Sequence, residues 1–328
     1  MSAFKAFRIF SENDKVAGRV VDAALEELSA GEVVFKAAYS SVNYKDALAG
    51  TGTGGRIIRK YPLIGGIDAA GVVVSSSDPR FKPGDEVICT SYDLGVAHDG
   101  GYAQMCRVPA EWVVPLPPGL TPFEAMAIGT AGYTAGLAME LLELNGMVPD
   151  QGKVLVNGAT GGVATLAIDM LAGRGYTVVA LTGKDGEHDF LKRIGAAEIL
   201  SRHKLEMGTR PLEKPLWAAA FDSVGGEGLA WLTRTMQQGG LIASFGNAAG
   251  IELKTTVLPF ILRGVRLIGV DSAYTPMALR RKVWGRLGTD LRPRHLDEIA
   301  HTIGLADLPG QFAKMLKGET RGRAVVRL

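Results

Sequence analysis

The chain has 328 residues, of which 47% are hydrophobic and 21% are charged, and its formal net charge is +2. This length predicts two domains of roughly 100 to 200 residues each, and the composition is that of a compact globular protein. The near-neutral charge argues against the broad basic surface of a protein that binds nucleic acid or an anionic membrane.

The cysteines and the N-terminus predict a cytoplasmic protein. Cys89 and Cys106 are the only cysteines, and they lack the spacing of a disulfide framework or of a cysteine-built zinc site. The first ten residues lack the apolar core of a signal peptide. The uncharged run from Ala125 to Met139 has 15 residues, fewer than the ~20 that span a bilayer. We therefore expect no membrane-spanning segment.

The first third of the chain predicts a β-rich domain. Turn signals such as "DPRFKPGDEV" and "PLPPGLTP" separate short β-type runs such as "VVFKAAYSSV" and "DEVICTSY". At its end, Thr121, Pro122 and Glu124 have the spacing of an N-cap, a first-turn proline and a capping-box glutamate. A helix is therefore expected to begin there.

From Gly152 the pattern changes to apolar strands alternating with amphipathic helices, which is typical of a parallel sheet covered on both faces. Six strands are predicted, at Lys153–Val156, Tyr176–Leu181, Glu198–Leu200, Ala218–Phe221, Gly240–Ser244 and Arg266–Val270. This number suits a doubly wound α/β dinucleotide-binding (Rossmann) domain, placed at 124–290. The remaining C-terminal residues are too few for a third core. We expect 291–328 to complete the β-rich domain of 1–123.

A glycine-rich turn, "NGATGGVA", lies between the first predicted strand of this domain and a helix. The apolar face of that helix is formed by Val163, Leu166, Ala167, Met170 and Leu171. Such a turn lets backbone N–H groups at the helix start approach a pyrophosphate. The candidate cofactor-binding residues are Gly158, Thr160, Gly161, Gly162 and Val163. Tight packing without a ligand is the alternative explanation of the glycines.

The end of the second predicted strand indicates which nucleotide binds. An acidic residue there would bond the ribose 2′-hydroxyl of NADH, but the chain reads Thr182, Gly183, Lys184. A hydroxyl and a lysine favour the 2′-phosphate of NADPH, and Arg202 adds a second candidate cation. Asp185 keeps NADH open as an alternative.

The layout, together with "GTAGYTA" and "FKPGDEV", resembles the medium-chain dehydrogenase/reductase superfamily, whose members join a GroES-like catalytic domain to a Rossmann domain. Matching the motifs of its zinc alcohol dehydrogenases puts Asn43, Ile67 and Ala127 at the positions of the metal ligands. These side chains cannot coordinate zinc. The resemblance therefore implies no metal.

The sequence more closely resembles the acrylyl-CoA reductase branch, which is NADPH-dependent, zinc-free and sometimes labelled quinone oxidoreductase. The segments that carry this resemblance are "SSVNYKDALAGTG", "PLIGGIDAAG", "RPLEKPLWAAAFDSVGG" and "LPFILRGVRLIGVDSAYTP". The resemblance covers nearly the whole chain. It implies reduction of the double bond of acrylyl-CoA to give propionyl-CoA.

The segment "VNYKD" is the best candidate for the chemistry of this reduction. Hydride addition to the β-carbon moves negative charge to the thioester oxygen, and a proton must reach the α-carbon. Tyr44 is the candidate proton donor or oxygen-orienting group, with Asn43 as its hydrogen-bonding partner. Alternatively, these residues only close a turn, and Asp46 caps the following helix.

Further contacts follow from the resemblance or from position alone. The resemblance places Thr130 beside the nicotinamide and Arg323 at the pyrophosphate. Asn247 and Ser272 follow the last two predicted strands, at the edge where this fold binds ligands. Phosphates of coenzyme A are candidate partners for the basic run, whose members are Arg56, Arg59 and Lys60. Alternatively, the predicted cofactor contacts are ordinary loop residues, and the basic run is a solvated charged surface.

Two other functions stay open at this point. One is reduction of small quinones or enones by the same hydride step, and the other is NADPH binding without turnover. The resemblance also implies a homodimer, formed through the last Rossmann strand, whose edge needs cover.

Overall fold

The computed structural model describes residues 3–55 and 57–328. Its strands, in chain order, are β1 (Phe4–Glu12), β2 (Lys15–Ala23), β3 (Val33–Ser41), β4 (Leu63–Ile64), β5 (Asp68–Ser76), β6 (Glu86–Thr90), β7 (Met105–Val108), β8 (Val113–Pro115), β9 (Lys153–Asn157), β10 (Thr177–Thr182), β11 (Glu198–Ser201), β12 (Trp217–Asp222), β13 (Met236–Ser244), β14 (Arg266–Gly269), β15 (Ala300–Gly304) and β16 (Arg323–Arg327).

The α-helices are α1 (Tyr44–Thr51), α2 (Pro122–Leu144), α3 (Gly162–Gly173), α4 (His188–Arg193), α5 (Gly226–Thr235), α6 (Leu258–Arg263), α7 (Met277–Leu287), α8 (Leu296–Ile299) and α9 (Leu308–Leu316). Among the residues that the structure describes, no helix is both long enough and apolar enough to cross a membrane.

The chain divides into two compact units. The first unit runs up to Ala131 and also contains Ala273–Gly288 and Leu296–Leu328, and the second contains Gly132–Ser272 and Thr289–His295. The sequence prediction assigned 124–131 and 273–288 to the Rossmann domain and 291–295 to the β-rich domain. The division at Ala131 falls inside α2, two residues after a break in that helix.

The first unit contains two sheets. A three-stranded sheet has the order β2-β1-β4, and a larger sheet has the order β15-β16-β3-β5-β6-β8, with β7 also paired to β3. The C-terminal strand β16 pairs antiparallel with β3. Apolar side chains such as Phe7, Phe35 and Tyr102 fill the interior beside these sheets, because alternate residues of a half-exposed strand point inward.

The second unit is built on one parallel sheet with the order β11-β10-β9-β12-β13-β14. This is the strand order of a doubly wound dinucleotide fold, so the predicted Rossmann sheet is confirmed. Its central strands read as continuous apolar runs, since helices cover both faces. In β9, for example, Val154, Leu155 and Val156 are all buried.

Helix α2 begins as predicted and then breaks. Thr121 and Glu124 exchange the hydrogen bonds of a capping box, with the Thr121 amide donating to the Glu124 carboxylate at 2.8 Å and the Glu124 amide donating to Thr121 Oγ1 at 3.2 Å. Gly129 has φ 52° and ψ −160°, a conformation that strongly favours glycine. The helical backbone conformation is therefore broken just before Thr130.

Candidate active site

The glycine turn lies between β9 and α3, as the sequence predicts. Gly158 has φ +67°, and a Cβ atom built there would stand 2.6 Å from Ser223 Oγ. Gly161 is exposed and is the N-cap of α3, and no side chain of the described residues caps this helix start. Helix amides at such a terminus lack internal partners. The turn therefore has the donors and the open backbone that a pyrophosphate requires.

Two further residues of the turn have different exposures. Thr160 is buried, whereas Val163 is half-buried on the first turn of α3. The Ala159 amide donates to the Leu181 carbonyl at 3.1 Å, so the turn is tied to the neighbouring strand β10. This bond links the predicted phosphate turn to the strand that ends at Thr182.

The predicted 2′-phosphate residues lie together at the ends of β10 and β11. Thr182 and Ser201 are register partners on these strands. Thr182 Oγ1 accepts the Lys184 amide at 3.0 Å, and the Arg202 guanidinium lies against Gly183. A Cβ atom on that glycine would come within 2.9 Å of Arg202 Nη2. A hydroxyl, a guanidinium and the backbone of a lysine thus lie beside a glycine at the carboxyl edge of the sheet.

A polar pair missed by the sequence reasoning supports the turn from β12. Asn157 Nδ2 donates to Asp222 Oδ1 at 2.9 Å, and Asp222 Oδ2 accepts the Gly225 amide at 2.9 Å. Burial raises the pKa of the Asp222 carboxyl above its ordinary value. Ser223 Oγ donates to the Asn157 carbonyl at 2.9 Å. The signal for this pair is a polar residue at the end of each of two apolar strands that meet at one edge of the sheet.

The first unit contains a buried polar network around Asp68. This carboxylate is fully buried, and its Oδ2 accepts bonds from Ser41 Oγ at 2.6 Å and Asn43 Nδ2 at 2.8 Å. Thr130 donates to it twice, from its amide at 2.9 Å and from Oγ1 at 2.5 Å. The guanidinium of Arg323 lies 3.9 Å away. Sequence reasoning missed Asp68, although a carboxylate inside the apolar run "PLIGGIDAAGVVV" must find buried donors.

The guanidinium of Arg323 is only 2% exposed. It donates to Ser41 Oγ at 2.8 Å, to the Val42 carbonyl at 2.8 Å, to Asn43 Oδ1 at 3.1 Å and to the Ala127 carbonyl at 3.1 Å. Burial lowers its pKa from the ordinary value, while nearby carboxylates oppose that shift. The structure thus places Arg323 inside the first unit, where it binds protein groups. Its predicted contact with a pyrophosphate stays a prediction.

Asn43 and Tyr44 lie at the start of α1. Asn43 is the N-cap, and both ends of its amide are engaged, since Nδ2 donates to Asp68 and Oδ1 accepts from Arg323. The Tyr44 side chain is exposed, with 45% relative exposure. The side chain of Asn43 therefore belongs to the buried network, whereas the phenol of Tyr44 reaches solvent.

Asp46 anchors the same helix start. Its Oδ2 accepts the Asn43 amide at 2.8 Å and its Oδ1 accepts the Ile67 amide at 3.0 Å. The carboxyl is buried. Burial, reinforced by the charge of Asp68, raises its pKa from 3.8 to about 7. The structure thus shows Asp46 capping α1, as the alternative interpretation of "VNYKD" proposed.

The positions matched to zinc ligands are all buried. Asn43 belongs to the Asp68 network, while Ile67 and Ala127 pack in the interior. Within residues 3–55 and 57–328, no group of three or more His, Cys, Asp or Glu side chains is arranged to hold a metal ion. Cys89 and Cys106 are both buried free thiols, and burial raises the pKa of Cys89 to about 12. The side chains present do not fit a zinc site.

The remaining predicted residues are spread over both units. In the second unit, Asn247 is exposed after β13, and Ser272 Oγ accepts a bond from Thr134 Oγ1 at 2.8 Å. In the first unit, Arg59 lies 3.4 Å from the carboxylate of Asp93. Lys60 is exposed, and Arg56 lies outside the described residues. The charge of Arg59 is thus partly neutralised by a neighbour.

The sequence is similar to one family model and to curated relatives. Residues 29–118 match the model of the alcohol dehydrogenase GroES-like domain. The chain is 49% identical over 327 residues to "Putative quinone oxidoreductase YhfP" of Bacillus subtilis, covering 99% of both chains. It is 46% identical over 316 residues to "Acrylyl-CoA reductase AcuI" of Ruegeria pomeroyi, covering 96% of both. The similarity thus extends over essentially the whole chain.

Solved structures agree with this relationship. The yhdH oxidoreductase from Salmonella enterica in complex with NADP is 45% identical and has a TM-score of 0.96, covering 99% of both chains. The yhfP protein of Bacillus subtilis with NAD bound is 48% identical and has a TM-score of 0.97, covering 100% of both chains. These relatives therefore share both the GroES-like and the Rossmann part of the fold.

Proposed function

We propose that this chain, which belongs to the medium-chain dehydrogenase/reductase family, is an NADPH-dependent reductase of the double bond of acrylyl-CoA, with propionyl-CoA as product. The observation that carries the proposal is the 46% identity to an acrylyl-CoA reductase over 96% of the chain. The relative described as a quinone oxidoreductase is 49% identical over 99% of the chain. The oxidoreductase class therefore rests on both relatives, whereas the thioester substrate rests on one of them.

The second unit fits a nicotinamide dinucleotide. Gly158 and Gly161 open the backbone before α3, and the helix amides there suit a pyrophosphate. Lys184 and Arg202, at the adjacent strand ends, suit a 2′-phosphate, because a phosphate is bound most strongly by cationic donors. This arrangement supports NADPH over NADH. Among related structures, one contains NADP and another contains NAD, so the preference for NADPH rests on the residues of this chain.

When bound, the reduced nicotinamide would supply the hydride that adds to the β-carbon of the alkene. The protein must then stabilise negative charge on the thioester oxygen and deliver a proton to the α-carbon. Tyr44 is the candidate for this work, because its hydroxyl is a donor on an exposed side chain. A phenol can orient the oxygen or give up its proton.

Asn43 supports Tyr44 as a positioning residue. Its amide is held by Asp68 on one side and by Arg323 on the other, so its orientation is set by the buried network. Asp46 fixes the Asn43 backbone by accepting its amide at 2.8 Å. These bonds fix the N-cap of α1, and Tyr44 is the next residue, the first of the helix.

A quinone or enone reductase is the second candidate, favoured by the relative described as a quinone oxidoreductase. The two functions differ in the acceptor and share the cofactor. The phosphates of coenzyme A would need cationic partners, for which Lys60 and Arg59 are candidates, although Asp93 lies 3.4 Å from the latter. A small quinone would need neither cation.

The test is the loss of NADPH absorbance with purified protein and either acrylyl-CoA or a simple benzoquinone, with NADH in parallel. Turnover with acrylyl-CoA and NADPH is the expected result. Activity confined to the quinone would reject the thioester proposal in favour of the second candidate. Tight NADPH binding without reduction of either acceptor would identify a non-catalytic NADPH-binding protein.

Tyr44→Phe tests the catalytic role. Removal of the hydroxyl is expected to lower kcat about 10²-fold or more, the usual contribution of a positioned proton donor. NADPH affinity should be unchanged. Tyr61→Phe is a matched control, since Tyr61 is a partly exposed tyrosine of the same unit. Equal turnover of the wild-type protein and Tyr44→Phe would remove Tyr44 from the mechanism.

We also propose a homodimer formed through β14, which is an edge strand of the parallel sheet. The neighbouring helix α6 and the residue before it expose apolar side chains, namely Val257, Ile261 and Leu262. An edge strand beside an apolar surface suits antiparallel pairing of its open side with a second copy. Analytical ultracentrifugation should find a dimer, and Ile261→Asp should yield a monomer. A wild-type monomer at micromolar concentration would reject this proposal.

A further inference from the structure

The ends of β10 and β11 contain one carboxylate among the cations that the proposed function assigns to a 2′-phosphate. Asp185 follows Lys184 directly, near the end of the second strand of the sheet. An acidic side chain in this region of a dinucleotide fold bonds the ribose hydroxyls of NADH and repels the 2′-phosphate of NADPH. A preference for NADPH therefore requires that a protein group bind the Asp185 carboxylate.

Asp185 is held by a serine from the neighbouring strand. Ser201, the last residue of β11, donates from Oγ to Asp185 Oδ1 at 2.9 Å. His188 Nε2 lies 3.6 Å from the same oxygen. The hydroxyl and the carboxylate come from separate strand ends that the parallel register brings side by side. The bond therefore fixes the position of the carboxylate relative to β11.

A second bond fixes the glycine between Thr182 and Lys184. His203 Nε2 lies 2.9 Å from the Gly183 carbonyl oxygen. A carbonyl only accepts, so Nε2 carries the proton and donates. Arg202, the residue before His203, lies across the same glycine, within 2.9 Å of where its Cβ would be. One short helical turn thus fixes the backbone of Gly183 and places a guanidinium over it.

We propose that Ser201 and His203 determine the preference for NADPH over NADH, Ser201 by holding Asp185 and His203 by fixing the Gly183 backbone between Thr182 and Lys184. Both act as specificity-determining positioning residues, and the cations Lys184 and Arg202 make the contact with the phosphate. This inference rests on the proposed function, because it assumes that the adenosine end of a nicotinamide nucleotide binds here.

The test uses adenosine fragments with the full-length protein and requires no turnover. Isothermal titration calorimetry measures the affinities for 2′,5′-ADP and for 5′-AMP, and their ratio reports discrimination by the 2′-phosphate. Ser201→Ala releases Asp185 and is expected to lower this ratio about tenfold, through repulsion of the phosphate. Asp185→Asn removes the charge and should raise the ratio about threefold. Ser75→Ala, an exposed serine on β5, is the control and should leave the ratio unchanged.

The double variant provides the decisive comparison. If Ser201 acts by holding the carboxylate, Ser201→Ala should change the ratio by less than about twofold once Asp185→Asn is present. An undiminished tenfold effect in that background would overturn the role of Ser201, whatever the reductase activity proves to be. If neither fragment binds, both the cofactor proposal and this inference are wrong.

His203 has a matched pair of variants. His203→Ala should weaken 2′,5′-ADP about fivefold and leave 5′-AMP unchanged, the scale of one lost hydrogen bond. His203→Gln retains an N–H donor at a similar reach and should restore most of the affinity. Equal losses in the two variants, or equal losses for the two fragments, would overturn the role of His203. His301→Ala, an exposed histidine of the first unit, is the control.

Discussion

The buried carboxyl of Asp46 predicts a contribution to stability that is lost as the pH rises toward neutrality. Burial, together with the charge of Asp68, raises its pKa from 3.8 to about 7. Between these values the folded protein keeps a proton that the unfolded chain has lost, so the free energy of unfolding falls as the pH rises. At about 1.36 kcal/mol per pH unit the full loss is about 4 kcal/mol, of which about 3 kcal/mol falls between pH 5 and pH 8.

Asp46→Asn removes this titration while keeping the shape of the side chain. The carboxyl oxygens accept the amides of Asn43 and Ile67, and an Asn side chain can accept only one of them. The variant should therefore carry a pH-independent cost of about 1 to 3 kcal/mol. Relative to the wild type, it should gain about 3 kcal/mol when the pH is raised from about 5 to about 8.

Urea unfolding of both proteins at the two pH values measures this difference. Asp14→Asn is the control, because Asp14 is an exposed carboxylate in the turn between β1 and β2 with φ +60°, a conformation that Asn tolerates well. A stability difference between the wild type and Asp46→Asn that stays constant across the pH range would refute the reasoning. It would mean that Asp46 is ionised in the folded protein.

Two further predictions concern stability, and a third concerns binding of the 2′-phosphate. Gly129→Ala should lower the free energy of unfolding by about 3 kcal/mol or more, measured by thermal unfolding, because its Cβ would stand 2.5–2.7 Å from three buried polar atoms. Gly264→Ala is the control. Its φ is +61° but its Cβ would meet open space, so the loss should be about 1 kcal/mol. Asp169→Ala should cost about 3 kcal/mol, since two backbone amides and two side chains bond this buried carboxylate. Gly183→Ala should weaken 2′,5′-ADP binding about tenfold by displacing Arg202, with 5′-AMP little affected.

The Rossmann sheet was predictable because its signal is local. Each of the six strands is a short apolar run, and each was predicted to within a few residues of its observed bounds. The sharpest difference is at β13, which begins at Met236, before the glycines at which the prediction began. Pairing to neighbouring strands extends this strand through residues whose propensity argues against it. The capping box at Thr121 was found for the same reason, since both its residues lie within one turn.

The Asp68 network was not predictable, because its members are distant in sequence. Ser41 and Asn43, Thr130, and Arg323 come from three separate segments, and only the folded first unit brings them to one carboxylate. The break in α2 at Gly129 belongs to the same arrangement. It was hidden in an uncharged helical run, where a glycine gives no local sign of the side chains that press against it.

The network explains why these residue types stand at the start of α1. Asp68 and Arg323 are 3.9 Å apart, too far for a direct hydrogen bond, and two neutral residues bridge them. Ser41 Oγ donates to the carboxylate and accepts from the guanidinium. Likewise, Asn43 Nδ2 donates to the carboxylate and Asn43 Oδ1 accepts from the guanidinium. An Asp at position 43 would place a second carboxylate against Asp68, and a Leu would leave both charges short of a partner. The orientation of the Asn43 amide is therefore fixed by charge, and Tyr44 begins its helix from that fixed point.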